Sequence, residues 1–182
     1  GPKRYSAPVG NSHAKLHRLA LAKLDWLVVR DLVEIESAAF WYDSPEIESG
    51  ELKTGEIATE VFFLPAASHV EKDGSFTNTQ RLLQWHYKAV EPNEDCRSEL
   101  WFYYHLGRLI KRKLADSEEP RDELVKALRW EYPTHSQIQE PDAEAVLAEI
   151  SGWEIATGAF IDGYTKLKPD GSTVCGCWIY CG

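Results

Sequence analysis

The sequence predicts an α/β protein: part of a doubly wound parallel sheet, then a helical insertion, then an irregular C-terminal segment. Three observations predict it. Residues 13–64 alternate helical periodicity with short runs rich in β-branched and aromatic side chains, residues 98–150 carry apolar positions at helical spacing, and residues beyond Gly158 lose both periods. At 182 residues the chain is long enough for one domain that buries roughly 70% of its unfolded surface, so it can form a real apolar core.

Within residues 13–24, Leu16, Leu19, Ala20 and Leu24 recur at helical spacing, and residues 24–29 continue as an apolar strand that ends near Asp31. Residues 35–41 read as a short helix, with Glu34 and Glu36 near its N-terminal end, where the dipole favours them. The polar stretch 43–59 is broken by Pro45, Gly50 and Gly55, and residues 61–64 form a second strand. Helix, strand, helix, strand implies parallel pairing, and near-continuous apolar strands suit a sheet covered on both faces. A polar loop follows over residues 71–84; residues 85–90 then alternate bulky and polar groups as an edge strand before Pro92. Ser98 offers an N-cap for a helix over residues 99–114 with a wide apolar face that includes Leu100, Tyr103, Tyr104, Leu106 and Ile110. Its closing Lys111-Arg112-Lys113 suits the negative end of the helix dipole. Ser117 is expected to cap a helix reaching Arg129, with Leu124, Val125 and Leu128 buried, and residues 141–150 form another, stopped by Gly152. The expected organisation is an α/β binding region over 1–92, a helical insertion over 93–157 and a linker over 158–182.

Charge and composition narrow the function classes. Twenty Lys and Arg against 29 Asp and Glu give a net charge of -9, which argues against nucleic acid or an anionic membrane surface as partner. No apolar stretch approaches the ~20 residues of a spanning helix and no basic-then-apolar leader opens the chain, so a soluble chain is expected. The absence of Met, with Gly1-Pro2 at the start, suggests an excerpt from a longer polypeptide. His13 and His17 read as a solvated helix face, and no dinucleotide or Walker loop and no nucleophile elbow appears. Cys175-Gly176-Cys177 with Cys181 admits zinc, a Cys175–Cys181 disulfide in an oxidising compartment, or reduced thiols; the spacing favours thiols over structural zinc.

Ligands of open α/β sheets collect at the carboxyl ends of the strands. Two segments are expected there. Asp31, Glu36 and Ser37 form one, in which a carboxylate can accept from a ribose or guanine and a hydroxyl can reach phosphate; taken alone, an Asp after a strand is more often a cap. Glu71, Thr77, Asn78, Arg81 and Gln84 form the other, a density of donors and acceptors that suits a flat, heteroatom-rich molecule, with Arg81 as a fork donor for phosphate.

The second segment also carries a resemblance. Leu64, Pro65, Glu71, Lys72, Gly74, Ser75, Thr77, Asn78, Arg81 and Gln84 resemble the LP, E-K-x-G-T, T-N, R, Q pattern of oxidoreductases with a bis(pterin) molybdenum or tungsten cofactor, with Ser75 in place of Thr. Residues 24–31 with Glu36 and Ser37 resemble that family's strand, Asp and T-E-T segment; Ile35 replaces one Thr. Residues 85–92 (WHYKAVEP) and 170–180 (DGSTVCGCWIY) are similar to the catalytic subunit of respiratory formate dehydrogenases. The likeness covers most of the chain from about Leu16. It departs at Arg4-Tyr5-Ser6, where the family shows a G-x-N turn.

The resemblance implies a portion of a molybdopterin-guanine-dinucleotide-binding region, with Asp31, Glu36 and Ser37 toward the guanosine end and Glu71, Thr77, Asn78, Arg81 and Gln84 nearer the pterin or phosphates. It implies an oxidoreductase of anaerobic respiration that oxidises formate, with a 4Fe-4S cluster and metal ligands on segments outside this sequence, so the chain alone would be inactive. The implied partners are the rest of the catalytic subunit and an iron-sulfur electron-transfer subunit; the implied compartment is the periplasm, with the cytoplasm as alternative. A different class of reading is a stand-alone interaction domain that keeps the fold without cofactor and presents Trp101, Tyr103, Tyr104, Trp130, Tyr132 and Trp153 at an interface.

Overall fold

The β-branched run of residues 26–31 pairs in parallel with a second run that begins 34 positions later, and this pairing organises the first part of the molecule. A computed structural model describes residues 14–80 and 82–176. They divide into two compact units: one holds the residues up to Ala67 with Glu94–Cys96, the other Ser68–Asn93 with the residues from Arg97 onward.

In the first unit, helix α1 (Ala14–Leu21) leads into β1 (Trp26–Asp31), the short helices α2 (Glu36–Ala39) and α3 (Pro45–Glu48), and β2 (Glu60–Pro65). The register runs from Trp26 opposite Glu60 to Asp31 opposite Pro65, as the helix-strand alternation predicts. Ala38, Ala39, Phe40, Ala66 and Ala67 are buried, so small side chains let α2 sit closely against β2. The stretch expected to be merely polar holds α3, started by Ser44 as N-cap and Pro45 at its first position, and a 3-10 turn at Thr54–Glu56. Arg18 of α1 reaches Glu46 of α3 through two hydrogen bonds, Nε to Oε2 at 2.5 Å and Nη2 to Oε1 at 2.9 Å, with both side chains buried. The hydroxyl of Thr59 lies 2.7 Å from the Leu21 carbonyl and 2.9 Å from that of Leu24. One expectation is corrected: Trp26, Val28 and Phe62, on one face of the pair, are 63%, 41% and 43% exposed, so the described residues do not cover both faces.

In the second unit the expected loop over residues 71–84 is largely a hairpin. Strands β3 (Gly74–Thr77) and β4 (Leu83–His86) pair antiparallel, Gly74 opposite His86 and Thr77 opposite Leu83. The sequence Gly-Ser-Phe-Thr has strand alternation that its polar neighbours mask, and pairing with Leu-Gln-Trp-His stabilises it. The strand expected at residues 85–90 therefore begins earlier and ends at His86. Helix α4 (Glu99–Lys113) starts at Ser98, whose Oγ accepts from the Trp101 amide at 2.8 Å, as the cap signal predicts. Only Tyr104 and Gly107 of α4 are buried, and Tyr103 is exposed, so its buried stripe is narrower than the apolar pattern implied.

The helix expected from Ser117 to Arg129 shortens to a 3-10 turn at Pro120–Asp122 and α5 (Glu123–Ala127), with Leu124 81% exposed. Ser117 bonds the Asp122 carboxylate at 2.7 Å instead of capping a long helix. Next come a small hairpin, β5 (Thr134–His135) with β6 (Glu140–Pro141), and helix α6 (Ala143–Ser151), capped by Asp142, which accepts from the Ala145 amide at 2.7 Å. Gly152 ends α6 at φ 133°, where a Cβ would lie 2.8 Å from the Val174 carbonyl. The tail expected to be irregular contributes β8 (Thr173–Val174), which pairs with β7 (Trp153–Glu154) just after α6. Cys177 and Cys181 lie outside the described residues, as does His13. Among the described residues no helix is long and apolar enough to cross a membrane.

Candidate functional site

The carboxyl edge of the parallel pair in the first unit holds Asp31 at the end of β1, beside Pro65 at the end of β2. Asp31 is half-buried and caps its own turn: Oδ1 accepts from the Leu32 amide at 2.7 Å, and its carbonyl accepts from the Ala66 amide at 3.0 Å. The capping reading of Asp31 is thus realised, with Oδ2 outside that bond. Glu36 and Ser37, both half-buried, open α2 at the same edge, and no side chain caps that helix at Ile35. The Glu36 carboxylate helps hold the nearby Arg18 guanidinium protonated, after the larger effect of Glu46.

The remaining expected site residues belong to the second unit. Glu71 ends the 3-10 turn His69–Glu71 in a capping box: Oε2 accepts from the Ser68 amide at 2.7 Å and the Ser68 hydroxyl at 2.9 Å, and these bonds hold its carboxyl below the usual carboxylate range. Thr77 ends β3, and Asn78 makes the turn, its Oδ1 accepting from the Gln80 amide at 3.0 Å and the Leu82 amide at 3.2 Å. Gln84 sits opposite Phe76, so strand alternation directs it to the hairpin face opposite Thr77. The hairpin brings Thr77 and Asn78 together at its tip, whereas Glu71 precedes β3 at the other end, with roughly 10 Å of strand between Gly74 and Thr77. Arg81 lies outside the described residues.

Sequence reasoning missed a cavity of about 330 Å³ in the second unit, lined by Trp85, Tyr87, Ser98, His135, Glu140 and Asp142 among others. Asp142 accepts at 2.7 Å from His135, which lowers its carboxyl together with the larger effect of the Ala145 amide. Glu140 contacts the Ser98 hydroxyl, yet burial pushes its carboxyl above the usual range. The signal was faint: only the Asp-Ala-Glu helix start marks this segment in the sequence. A raised carboxyl binds its proton more tightly in the folded state, so its penalty is absent below the ordinary carboxylate value and grows as pH rises through the raised one. Glu140→Gln is therefore expected to change stability little near pH 4 and to raise it near pH 7, as read by urea midpoints at the two pH values. Among the described residues no group of three or more His, Cys, Asp and Glu could hold a metal ion.

Comparison with known proteins gives this geometry its context. No family model matches the chain. It is 32% identical over 178 residues to the nitrate-inducible formate dehydrogenase major subunit of Escherichia coli, covering 89% of this chain. The chain is homologous to one segment of formate dehydrogenase major subunits. The formate dehydrogenase subunit alpha of Megalodesulfovibrio gigas is 31% identical over 175 residues, and the Haemophilus influenzae major subunit 31% over 180. The chain spans about a sixth of the length of these relatives, 17%, 17% and 16% respectively. These relatives are oxidoreductases by name, and homology to them extends through both compact units.

Proposed function

We propose that the chain is a cofactor-binding portion of a formate dehydrogenase major subunit, contributing to one molybdopterin guanine dinucleotide and inactive by itself. The observation that carries this reading is the 32% identity across 89% of the chain, joined to the position of Asp31 at the carboxyl edge of a parallel strand pair. The donor set suits such a group. A guanine edge presents N–H donors, and Asp31 has Oδ2 outside its own turn bond; Ser37 adds a hydroxyl. At the hairpin tip Asn78 offers its amide N–H groups and Thr77 a hydroxyl; Arg81, outside the described residues, is by residue type a fork donor for phosphate. Glu71, bound to Ser68, holds the loop in shape, and Gln84 lies on the other hairpin face.

When bound, the pterin-held molybdenum or tungsten supplies the two-electron oxidation of formate to carbon dioxide. This chain's residues bind and orient that cofactor. In this reading β1 and β2 belong to a larger doubly wound sheet within a binding region over 1–92, and other polypeptide of the same subunit covers Trp26, Val28 and Phe62. Residues 93–157 are an insertion and 158–182 lead toward a further domain. A 4Fe-4S cluster, held by polypeptide outside this sequence, and an iron-sulfur partner subunit would supply electron transfer, in a periplasmic enzyme or, alternatively, a cytoplasmic one.

The test uses the full-length subunit that contains this sequence. Metal analysis and pterin fluorescence are expected to find both components. Asp31→Ala and Arg81→Ala should each lower cofactor content by about tenfold, the order expected for losing a charge-assisted hydrogen bond, with circular dichroism unchanged. Wild-type metal and pterin content in both variants would sink the residue assignments; absence of both components from an active wild-type preparation would sink the function.

A further inference from the structure

We propose that the apolar run Cys177-Trp178-Ile179-Tyr180 docks in a groove of the second unit formed by helix α6 and the β3–β4 hairpin, with Trp178 as its anchor. The run lies outside the described residues, whereas the groove and the chain that leads to it lie within them. This does not depend on the cofactor reading above.

The groove has a volume of about 370 Å³ and is lined by Phe76 and Trp85 of the hairpin, Leu100 of α4, and Val146, Leu147 and Ile150 of α6, among others. Along α6, Ala143, Val146, Leu147 and Ile150 follow the spacing of a single helix face, and all four line the groove. Phe76 and Ile150 are exposed, so apolar surface there is left to bury. The nearby charges have partners within the protein: Lys72 pairs with Glu99, and the Asp73 carboxylate accepts from the Lys88 amide at 2.6 Å. The occupant that suits these walls is therefore neutral and apolar.

The direction of the chain selects which segment that is. Strand β8 runs antiparallel to β7, with Thr173 opposite Glu154 and Val174 opposite Trp153, so the chain returns toward the end of α6. Two residues on, the Gly176 amide donates to the Ile150 carbonyl at 3.0 Å, and a Cβ at Gly176 would lie 3.6 Å from the Ile150 Cα. Continued in that direction, the chain meets Leu147, Val146 and Ala143, the remaining groove positions of α6. From Ile150 back to Ala143 the helix rises roughly 10 Å, and four extended residues span about 13 Å, so residues 177–180 are long enough to cover that face. A segment tethered one residue from the groove reaches an effective concentration on the order of millimolar, which favours it over any free partner.

The test uses the full-length subunit that contains this sequence, with Trp178 replaced by the photoreactive, apolar p-benzoylphenylalanine. After irradiation, mass spectrometry is expected to find position 178 joined to residues 143–151 or 74–86. Cross-links only to other polypeptide, or none, would overturn the proposal. In Trp178→Ala, hydroxyl-radical labelling of Phe76 and Ile150 should rise severalfold as solvent enters the groove, while that of Tyr103, exposed on α4, stays as in the wild type. Unchanged labelling of Phe76 and Ile150 would likewise overturn it. The cross-linking result stands even if Trp178→Ala misfolds.

Discussion

Arg18→Ala is expected to destabilise the first unit by about 3 to 5 kcal/mol, because it strands the Glu46 carboxylate in a buried site with its charge uncompensated. The side chains of the pair are 10% and 5% exposed, and the two nitrogen-oxygen contacts make the planar fork that arginine forms with carboxylates. Urea unfolding followed by circular dichroism measures the loss. Replacing both partners together with apolar residues, Arg18→Met with Glu46→Leu, should recover most of it, because the cost of breaking such a pair lies mainly in the abandoned charge. A double replacement as unstable as the single one would refute this account.

The same pair sets the acid limb of stability. The hydrogen bond from Arg18 holds the Glu46 carboxyl below its ordinary value near 4.5. A depressed folded-state value contributes stability that is present above the ordinary value and disappears as pH falls through the lowered one. Wild-type stability should therefore drop below about pH 4.5 more steeply than that of the apolar double variant. Because Glu36 also acts on Arg18, Arg18→Ala should disturb the Asp31, Glu36 and Ser37 edge as well as the helix contact.

Gly107→Ala is the second large effect. A Cβ at this position would lie 1.3 Å from Cζ3 of Trp130 and 2.2 Å from Cη2, distances that no rotation of a methyl group relieves. Alanine normally favours a helix interior by about 1 kcal/mol over glycine. Here displacing the indole from α4 should outweigh that gain, leaving a net loss of about 2 kcal/mol, within the range of overpacking. Trp130→Ala should then reverse the sign: in that background Gly107→Ala is expected to stabilise. Additive effects in a double-mutant cycle would show that the ring and the helix are not in contact.

The sequence was sufficient wherever a signal is local. The Ser98 cap, the helical spacing after it, the Gly152 stop and the β-branched runs of β1 and β2 each act through neighbours a few residues away, and all four stand in the structure. The relationship to formate dehydrogenases was legible in the strings around Asp31, Glu71–Asn78 and WHYKAVEP, because motif letters survive without any knowledge of where the chain goes. Tertiary structure decided the rest. The polar stretch before β2 became α3 through a pair 28 residues apart, Arg18 with Glu46, and the loop expected after Pro65 became a hairpin because Phe76 and Gln84 found each other across the Asn78 turn. It also determined that Asp31, Glu71 and Asn78 each spend an oxygen on their own turn, and that Trp85, Glu140 and Asp142 share one cavity. Periodicity and caps report the energy of neighbours along the chain. Pair partners, burial and the occupancy of each lone pair depend on contacts between distant residues, and a single sequence does not encode these separately from the fold that makes them.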